Sequence, residues 1–439
     1  MIFSILTAIS LIAAAAQDRY FDRLFPTQPP PSNAHATPEP GIDAGPSTFQ
    51  KLLSLDMTTH PKLHPSDCTI IIPTVDPENA GFKECLTTVL TNHPAAILIV
   101  TVGLDKQDLV ERVIKEFNHG KTKIRAMQQA LANKRRQVAF ALPHVQTEIV
   151  VLVDDHVYWP SEKFLPTILA PFEDPKDCVY LKRHNFEIAA TNAIDGGVFV
   201  LSGRTSAHRT VILQDPQFIE GLSNEMFFFG KFGPINPDDD NFITRWEVKK
   251  GWKLRIQYCD DARIETDLGN KEKWSQQCLR WVRTTWRSNS CSLFTDRVVW
   301  WRQPWCVYAV YWTSFFNFAL FYDAALLLTL WKTTFGGQGW TPTVILAVWI
   351  FLSKMIKLIP HFRRCPADVL LIPWYLGFAY YHSWLKPKAL FTFWDCTWGG
   401  RNIAAINAEA AKSGASPAKV RPTTPGRQSS GCHFPRTSE

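Results

Sequence analysis

Three consecutive carboxylates, Asp238, Asp239 and Asp240, are followed further along the chain by Gln277, Arg280 and Trp281. A carboxylate can take a proton from an attacking hydroxyl, so the acid run is a candidate general base. Gln277, Arg280 and Trp281 are spaced i, i+3 and i+4, which puts them on one face of a helix. A guanidinium can grip diphosphate oxygens through paired hydrogen bonds, and an indole offers a flat apolar face to a sugar ring. Each feature has a plainer reading. Three acids in a row also suit a solvated or calcium-like turn, and Arg-Trp beside apolar segments suits an interfacial anchor.

Elements able to position these residues begin at Cys68. Thr69 to Pro73, Ala96 to Val100 and Glu148 to Val153 are short apolar runs with the composition of buried strands. Gly81 to Leu90 and Asp105 to about Phe117 are the helices between them, and Val198 to Leu201 is a further expected strand, closed by Ser202-Gly203-Arg204. Alternating strands and helices imply βαβ units and a largely parallel sheet with ligands at the strands' carboxyl ends. Asp154-Asp155-His156 follows the Glu148 to Val153 strand and so falls at such an end.

The chain's 439 residues allow two domains, and many of its 17 Trp and 29 Phe fall after Trp300, where Trp and Tyr suit a membrane interface. Trp305 to Trp331, Thr343 to Ile359 and Val369 to Leu385 are apolar runs, interrupted by Asp323 in the first and Pro373 in the third. Three such runs so close together point to a membrane region more than to a buried helical core. Arg363, Arg364 and the basic tail after Leu385 are expected on the cytosolic side. A cytosolic catalytic domain then requires an even number of crossings, which makes the Pro373 run a candidate re-entrant segment.

The net charge of +7 is spread out or lies beside apolar segments, which favours an anionic donor or a lipid surface and no nucleic acid. Ten cysteines without a CxxC pair read as reduced thiols, neither a disulfide framework nor a zinc site. Ile2 to Ala16 falls short of the ~20 residues of a spanning helix, leaving a signal peptide, a weak anchor or part of a longer helix, with an anchor preferred. The division expected is an anchor over residues 1–16, a Pro-rich linker over 17–65 and a catalytic domain over 66–290. Interfacial and transmembrane helices over 291–401 and a disordered basic tail over 402–439 complete it.

Taken together, Asp239-Asp240-Asn241 and Gln277-x-x-Arg280-Trp281 resemble the acid loop and QxxRW signature of membrane-embedded family 2 glycosyltransferases, which include hyaluronan, chitin and cellulose synthases. The resemblance spans roughly residues 66 to 401 and is nearest to fungal, hyaluronan-synthase-like polysaccharide synthases. It implies an α/β, GT-A-like nucleotide-sugar transferase domain with a C-terminal helical transmembrane region, in a plasma-membrane protein whose catalytic domain faces the cytosol. It further implies an inverting reaction with a UDP-sugar donor, a polysaccharide or glycolipid acceptor and a lipid bilayer as partner.

The resemblance assigns the base to Asp240, supported by Asp239, and the QxxRW face to the donor diphosphate and acceptor sugar. Mn²⁺ or Mg²⁺ is implied at Asp154 and His156. The family usually has Asp-x-Asp here, and an imidazole in the third position tilts the expectation toward Mn²⁺. Lys134-Arg135 matches a pair that contacts the donor nucleotide, although a solvated basic helix start reads almost as well. Asp76 follows the first strand, where nucleobase contacts are expected. The family's Asp-Asp-Gly after the second strand is absent: either Thr101 or Asp105 replaces its first aspartate, or uracil recognition differs. Trp398-Gly399-Gly400-Arg401 resembles a Trp-Gly-Thr-Arg gating loop, which adds Trp398 and Arg401 to the donor site. A single-transfer, ceramide-type lipid glycosyltransferase and a non-catalytic membrane scaffold are the competing readings.

Overall fold

A computed structural model describes residues 61–173, 177–181, 186–257, 259–266, 271–335, 339–359, 362, 366–396 and 403–412. The expected anchor, nearly all of the expected linker, and Trp398 and Arg401 lie outside the described residues.

The region from Cys68 to Ile256 is built on a seven-stranded sheet of order β3-β2-β1-β4-β7-β6-β8. Its strands are β1 (Cys68–Pro73), β2 (Ala96–Val102), β3 (Lys123–Gln129), β4 (Ile149–Val153), β6 (Asp177–Leu181), β7 (Thr205–Arg209) and β8 (Lys253–Ile256). A separate ribbon pairs β5 (Val157–Tyr158) with β9 (Glu265–Thr266). β1 runs parallel to β2 and β4, and β2 parallel to β3. The sheet is mixed, however, because β7 is antiparallel to both β4 and β6.

The continuous apolar runs of β1 and β4 form strands because both faces of the sheet are covered. Ile70, Ile72, Val151 and Val153 point into one core, beneath α1 (Ala80–Leu90) and α2 (Leu104–Lys115). Ile71, Val150 and Leu152 point into the other, with Val138 and Ala141 of α3 (Lys134–Ala141). Each such side chain, fully buried, stabilises the fold by about 1.5–3 kcal/mol.

The strand expected over Val198 to Leu201 does not form. Val198 and Leu201 are buried in the core, but the Leu201 N–H donates to Thr244 Oγ1 at 2.9 Å instead of to a neighbouring strand. The strand comes next, at Thr205–Arg209, where the chain can reach the free edge of β4. β3 has no equivalent among the expected strands. It lies at the sheet edge with Lys123 and Arg125 exposed, so its apolar signal is weak. Thr101, a proposed stand-in for the missing aspartate, is wholly buried on β2, whereas Asp105 is exposed in the first turn of α2.

The acid run opens α4 (Asp239–Lys250), which Gly251 ends with a left-handed φ of 91°. The QxxRW run lies on α5 (Lys271–Thr284), whose Cys278 and Val282 pack on Leu385 and Ala389. Those two residues belong to α8 (Ile372–Leu390). The other long apolar helices are α6 (Ala319–Trp331) and α7 (Thr341–Met355).

Among the described residues no single helix is long and apolar enough to cross a membrane. Pro304–Phe316 and α6 meet that test as a pair, bent by 80°. The run expected to be interrupted by Pro373 changes there from a 3₁₀ helix, Pro366–Leu371, to α8, with Pro373 in the first turn, where a missing N–H costs no helical hydrogen bond. Asp323 is joined to Lys354 at 2.6 Å and to the Tyr380 hydroxyl at 3.0 Å, so one carboxylate links α6, α7 and α8. The expected disordered tail begins instead with a helix, α9 (Ile403–Lys412). It returns to pack beside Val75, Val102 and Ala132, and Asn407 accepts the Ala132 N–H at 2.7 Å.

Candidate active site

The carboxyl end of β4 and the start of α4 meet through one ammonium group. Lys134 Nζ lies 2.7 Å from Asp154 Oδ1 and 2.9 Å from Asp239 Oδ2, and it donates to the Gly203 carbonyl at 2.8 Å. Three acceptors match the three protons an ammonium carries. Lys134 is delivered there by the first turn of α3, which Asn133 caps by accepting the Arg136 N–H. Burial disfavours the charge on Lys134, but Asp154 and Asp239 outweigh it and raise its pKa above the ordinary lysine value. Burial likewise opposes ionisation of Asp239, and Lys134 overcomes it, so Asp239 titrates below the usual carboxylate range.

Asp240 is the next residue of the same helical turn. Its Oδ1 accepts the Asn241 N–H at 2.9 Å and the Asn241 side-chain amide at 3.0 Å. Its Oδ2 faces Gly203, where a Cβ would stand only 3.2 Å away. Glycine at 203 therefore lets the carboxylate sit close to the β4–β7 end of the sheet. Arg204 follows, and its carbonyl accepts the Asp154 N–H at 2.9 Å. Burial lowers the Arg204 pKa, Asp154 opposes the change, and the positive charge of Arg280 adds to it. Arg204 thus lies within electrostatic reach of both Asp154 and Arg280.

Gln277 and Arg280 are half-buried, and Trp281 is 48% exposed. They lie on α5 away from the buried Cys278 and Val282, on the side where Thr284 Oγ1 donates to Asp238 Oδ1 at 2.7 Å. Asp76 is exposed beyond β1, with its N–H donating to Thr74 Oγ1. The Thr74 hydroxyl in turn donates to Asp155 at 2.9 Å.

Arg135 is placed differently from its neighbour Lys134. It is 1% exposed, pairs with Glu225 at 2.7 Å, and donates to the carbonyls of Pro237 and Asp238 at 3.0 and 2.8 Å. Its guanidinium braces the acid loop from behind. Glu225 also pairs with Arg245, and these two arginines hold its pKa down against the opposing effect of burial.

Among the described residues no three His, Cys, Asp or Glu side chains converge on a cation. A cation shared with a diphosphate needs only one or two protein carboxylates, and Asp154, at a strand end within this charged cluster, fits that donor set. His156 Nδ1 is 3.0 Å from Asp155 Oδ1, so this ring is oriented by Asp155 and not by Asp154.

Sequence reasoning missed Gly203, Arg204 and Glu225 as members of the site. Gly203-Arg204 read only as the end of a strand, and a lone Glu225 gives no local signal. Asp155 lay in view within Asp154-Asp155-His156 but received no role.

A mixed α/β sheet carries Asp154 at the end of β4, bridged by Lys134 to Asp239 at the start of α4, with the Arg-Trp helix joined to the same loop through Thr284 and Asp238; the arrangement is that of a nucleotide-sugar transferase. The chain belongs to the glycosyltransferase-like family 2, whose sequence profile matches residues 65–179 and 175–284. It is 37% identical over 380 residues to a type 2 glycosyltransferase of Pyricularia oryzae, covering 79% of this chain and 77% of that one. Identity is 38% over 374 residues to a type 2 glycosyltransferase of Zymoseptoria tritici, with the same two coverages. An NDP-glycosyltransferase, ltbB, of Aspergillus luteorubrus is 30% identical over 54% of this chain and 64% of its own. Among solved structures, a mannosyltransferase of Pyrobaculum calidifontis in complex with GDP-Man and Mn²⁺ aligns with a TM-score of 0.44 and 16% identity. That alignment covers 71% of this chain and 90% of the mannosyltransferase.

Proposed function

We propose that this family 2 glycosyltransferase is an inverting, membrane-seated polysaccharide synthase that uses a UDP-sugar. The observation that carries the reading is the junction at Lys134, which joins Asp154 of the donor-side strand to Asp239, with Asp240 beside it. Asp240 is the general base. Its carboxylate takes the proton of the acceptor hydroxyl as that oxygen attacks the anomeric carbon from the face opposite the departing diphosphate. Asp239 keeps Lys134 in place, and Lys134 in turn fixes Asp154.

Arg280, with Arg204, stabilises the negative charge that grows on the diphosphate as the glycosidic bond to UDP breaks. Trp281 offers a flat face to the acceptor sugar, and Gln277 stands one helical turn before it on the same side. Asp154 and the donor's phosphate oxygens would hold Mn²⁺ or Mg²⁺, with His156 nearby on Asp155. When bound, the cation neutralises the leaving diphosphate. Asp76 lies at the loop where the nucleobase would rest.

The membrane setting is supported by the apolar helices after residue 300, and repeated transfer by the resemblance to polysaccharide synthases. The bent pair at 304–331 and the polar link at Asp323 suit helices that pack in lipid. The basic residues at 363–364 and after Leu385 favour a cytosolic orientation of the catalytic domain, and the plasma membrane is the setting the resemblance implies.

The deciding assay is Mn²⁺-dependent UDP release from membranes given each UDP-sugar singly and in pairs, for wild type and Asp240→Asn. Turnover lost in Asp240→Asn establishes the transferase and its base. A long polymer product supports the synthase, whereas a chloroform-soluble glycolipid replaces it with single transfer to lipid. No turnover with any donor would leave a non-catalytic scaffold.

A further inference from the structure

Asp238 is the one member of the acid triplet turned away from the Lys134 junction. Its backbone is left-handed, with φ 63° and ψ 34°, immediately before α4 begins. That conformation costs a non-glycine residue roughly 1–2 kcal/mol and persists only where neighbours enforce it. Here the enforcing group is Arg287. Its Nε and Nη2 both donate to Asp238 Oδ2, at 2.9 and 2.6 Å, while Thr284 donates to Oδ1 at 2.7 Å. Both charged side chains are buried, at 0% and 6% exposure. Arg287 Nη1 then reaches the carbonyls of Phe393 at 3.1 Å and Asp395 at 2.9 Å. Four residues earlier, Arg283 pairs with Asp395 at 2.7 Å.

We propose that Arg287 is a positioning residue for the general base. By clamping Asp238 in the left-handed turn, it sets where α4 starts, and with it the placement of Asp239 on Lys134 and of Asp240 over Gly203. The same guanidinium ties that start to the stretch Phe393 to Asp395, so the base and the segment leaving α8 share one fixed point. Asp238 matters for the shape of its backbone, and its carboxylate serves as the handle. The inference rests on the transferase reading above.

Glycine adopts a positive φ without penalty, which separates backbone shape from carboxylate chemistry. The test compares wild type, Asp238→Gly, Asp238→Ala, Arg287→Ala and the double variant Arg287→Ala/Asp238→Gly in membranes. UDP release and the melting temperature are followed for each, with Asp240→Asn as the inactive control. Asp238→Gly is expected to keep kcat within about threefold of wild type even if it melts lower, because glycine retains the turn. Asp238→Ala and Arg287→Ala should each lose about 100-fold in kcat with the donor KM within about twofold, as expected when a reacting group is displaced by about 1 Å. The double variant should recover about tenfold over Arg287→Ala, since glycine no longer needs the clamp.

Equal losses in Asp238→Gly and Asp238→Ala, an unimpaired Asp238→Ala, or no recovery in the double variant would each overturn the proposal. If wild type turns over no donor, the transferase reading fails, and the clamp is judged separately by hydrogen exchange over residues 236–245. Exchange at least about tenfold faster in Arg287→Ala supports it, and unchanged protection refutes it.

Discussion

Lys134 Nζ stands 2.9 Å from Asp239 Oδ2, so the helix that follows β3 and the helix that carries the acid run start at one ion pair. Asp154 at 2.7 Å makes the pair a triad, and the whole group is largely buried. Two carboxylates this close can both stay ionised because a cation lies between them. That cation belongs to the chain and is present before any donor arrives.

Asp240→Asn should lower the rate of UDP release by about 10²–10⁴-fold, the range expected when a general base is removed. Donor KM should change little, because the residue acts on the acceptor hydroxyl. Initial rates across a donor titration check both numbers. A variant with unaltered kcat would move the base to another group.

Lys134→Met leaves Asp154 and Asp239 facing each other without a cation. The expected loss is about 2 kcal/mol at neutral pH, at the lower end for a broken ion pair because the group retains some solvent contact. The signs follow from the pKa directions. Asp239 is depressed, so its stabilising contribution is present above the unfolded value of about 3.9 and is lost as pH falls through its lower folded pKa. Lys134 is raised, so its contribution is full below about 10.4 and is lost only as pH rises through its folded pKa. Denaturant melts at several pH values should therefore show a wide gap between wild type and variant near neutrality that closes below about pH 4.

Glu225→Gln removes the carboxylate shared by Arg135 and Arg245, both of which are buried. Arg245 keeps Asp296 at 3.3 Å and Arg135 keeps its backbone carbonyls, so loss of the shared charge should cost about 1–3 kcal/mol. Since Arg135 also braces the carbonyls of Pro237 and Asp238, UDP release should fall along with stability. Melting curves and rates measured on the same membranes test whether the two losses travel together.

Lys354→Met deprives Asp323 of its closest partner and should destabilise the packing of α6, α7 and α8 by about 1–3 kcal/mol. Adding Asp323→Asn should return part of that loss, because the remaining group is neutral and Tyr380 can still donate to it. Thermal aggregation of the detergent-solubilised protein, single against double variant, reads the difference. A double variant less stable than Lys354→Met would show that Asp323 is held by something other than these two groups.

The strands at 68–73 and 149–153 and the helices after 80 and 104 were legible in sequence, because local apolar patterning is enough to demand burial on both faces of a sheet. The i, i+3, i+4 spacing of Gln277, Arg280 and Trp281 was legible for a similar reason: helical periodicity alone puts them on one side. Val198 to Leu201 misled because apolarity reports burial and not hydrogen-bond partner, and the free edge of β4 was filled by Thr205–Arg209 instead.

The acid triplet shows the division most clearly. Composition marked three adjacent aspartates as candidate acids, and only the family resemblance singled out Asp240, with Asp239 in support. Only the folded chain gives Asp238 to Arg287, Asp239 to Lys134 and Asp240 to the space above Gly203. Those assignments depend on how α3, α4, α5 and the β4–β7 edge pack together. No local pattern encodes which of several similar charges will meet when segments far apart in the chain are buried side by side.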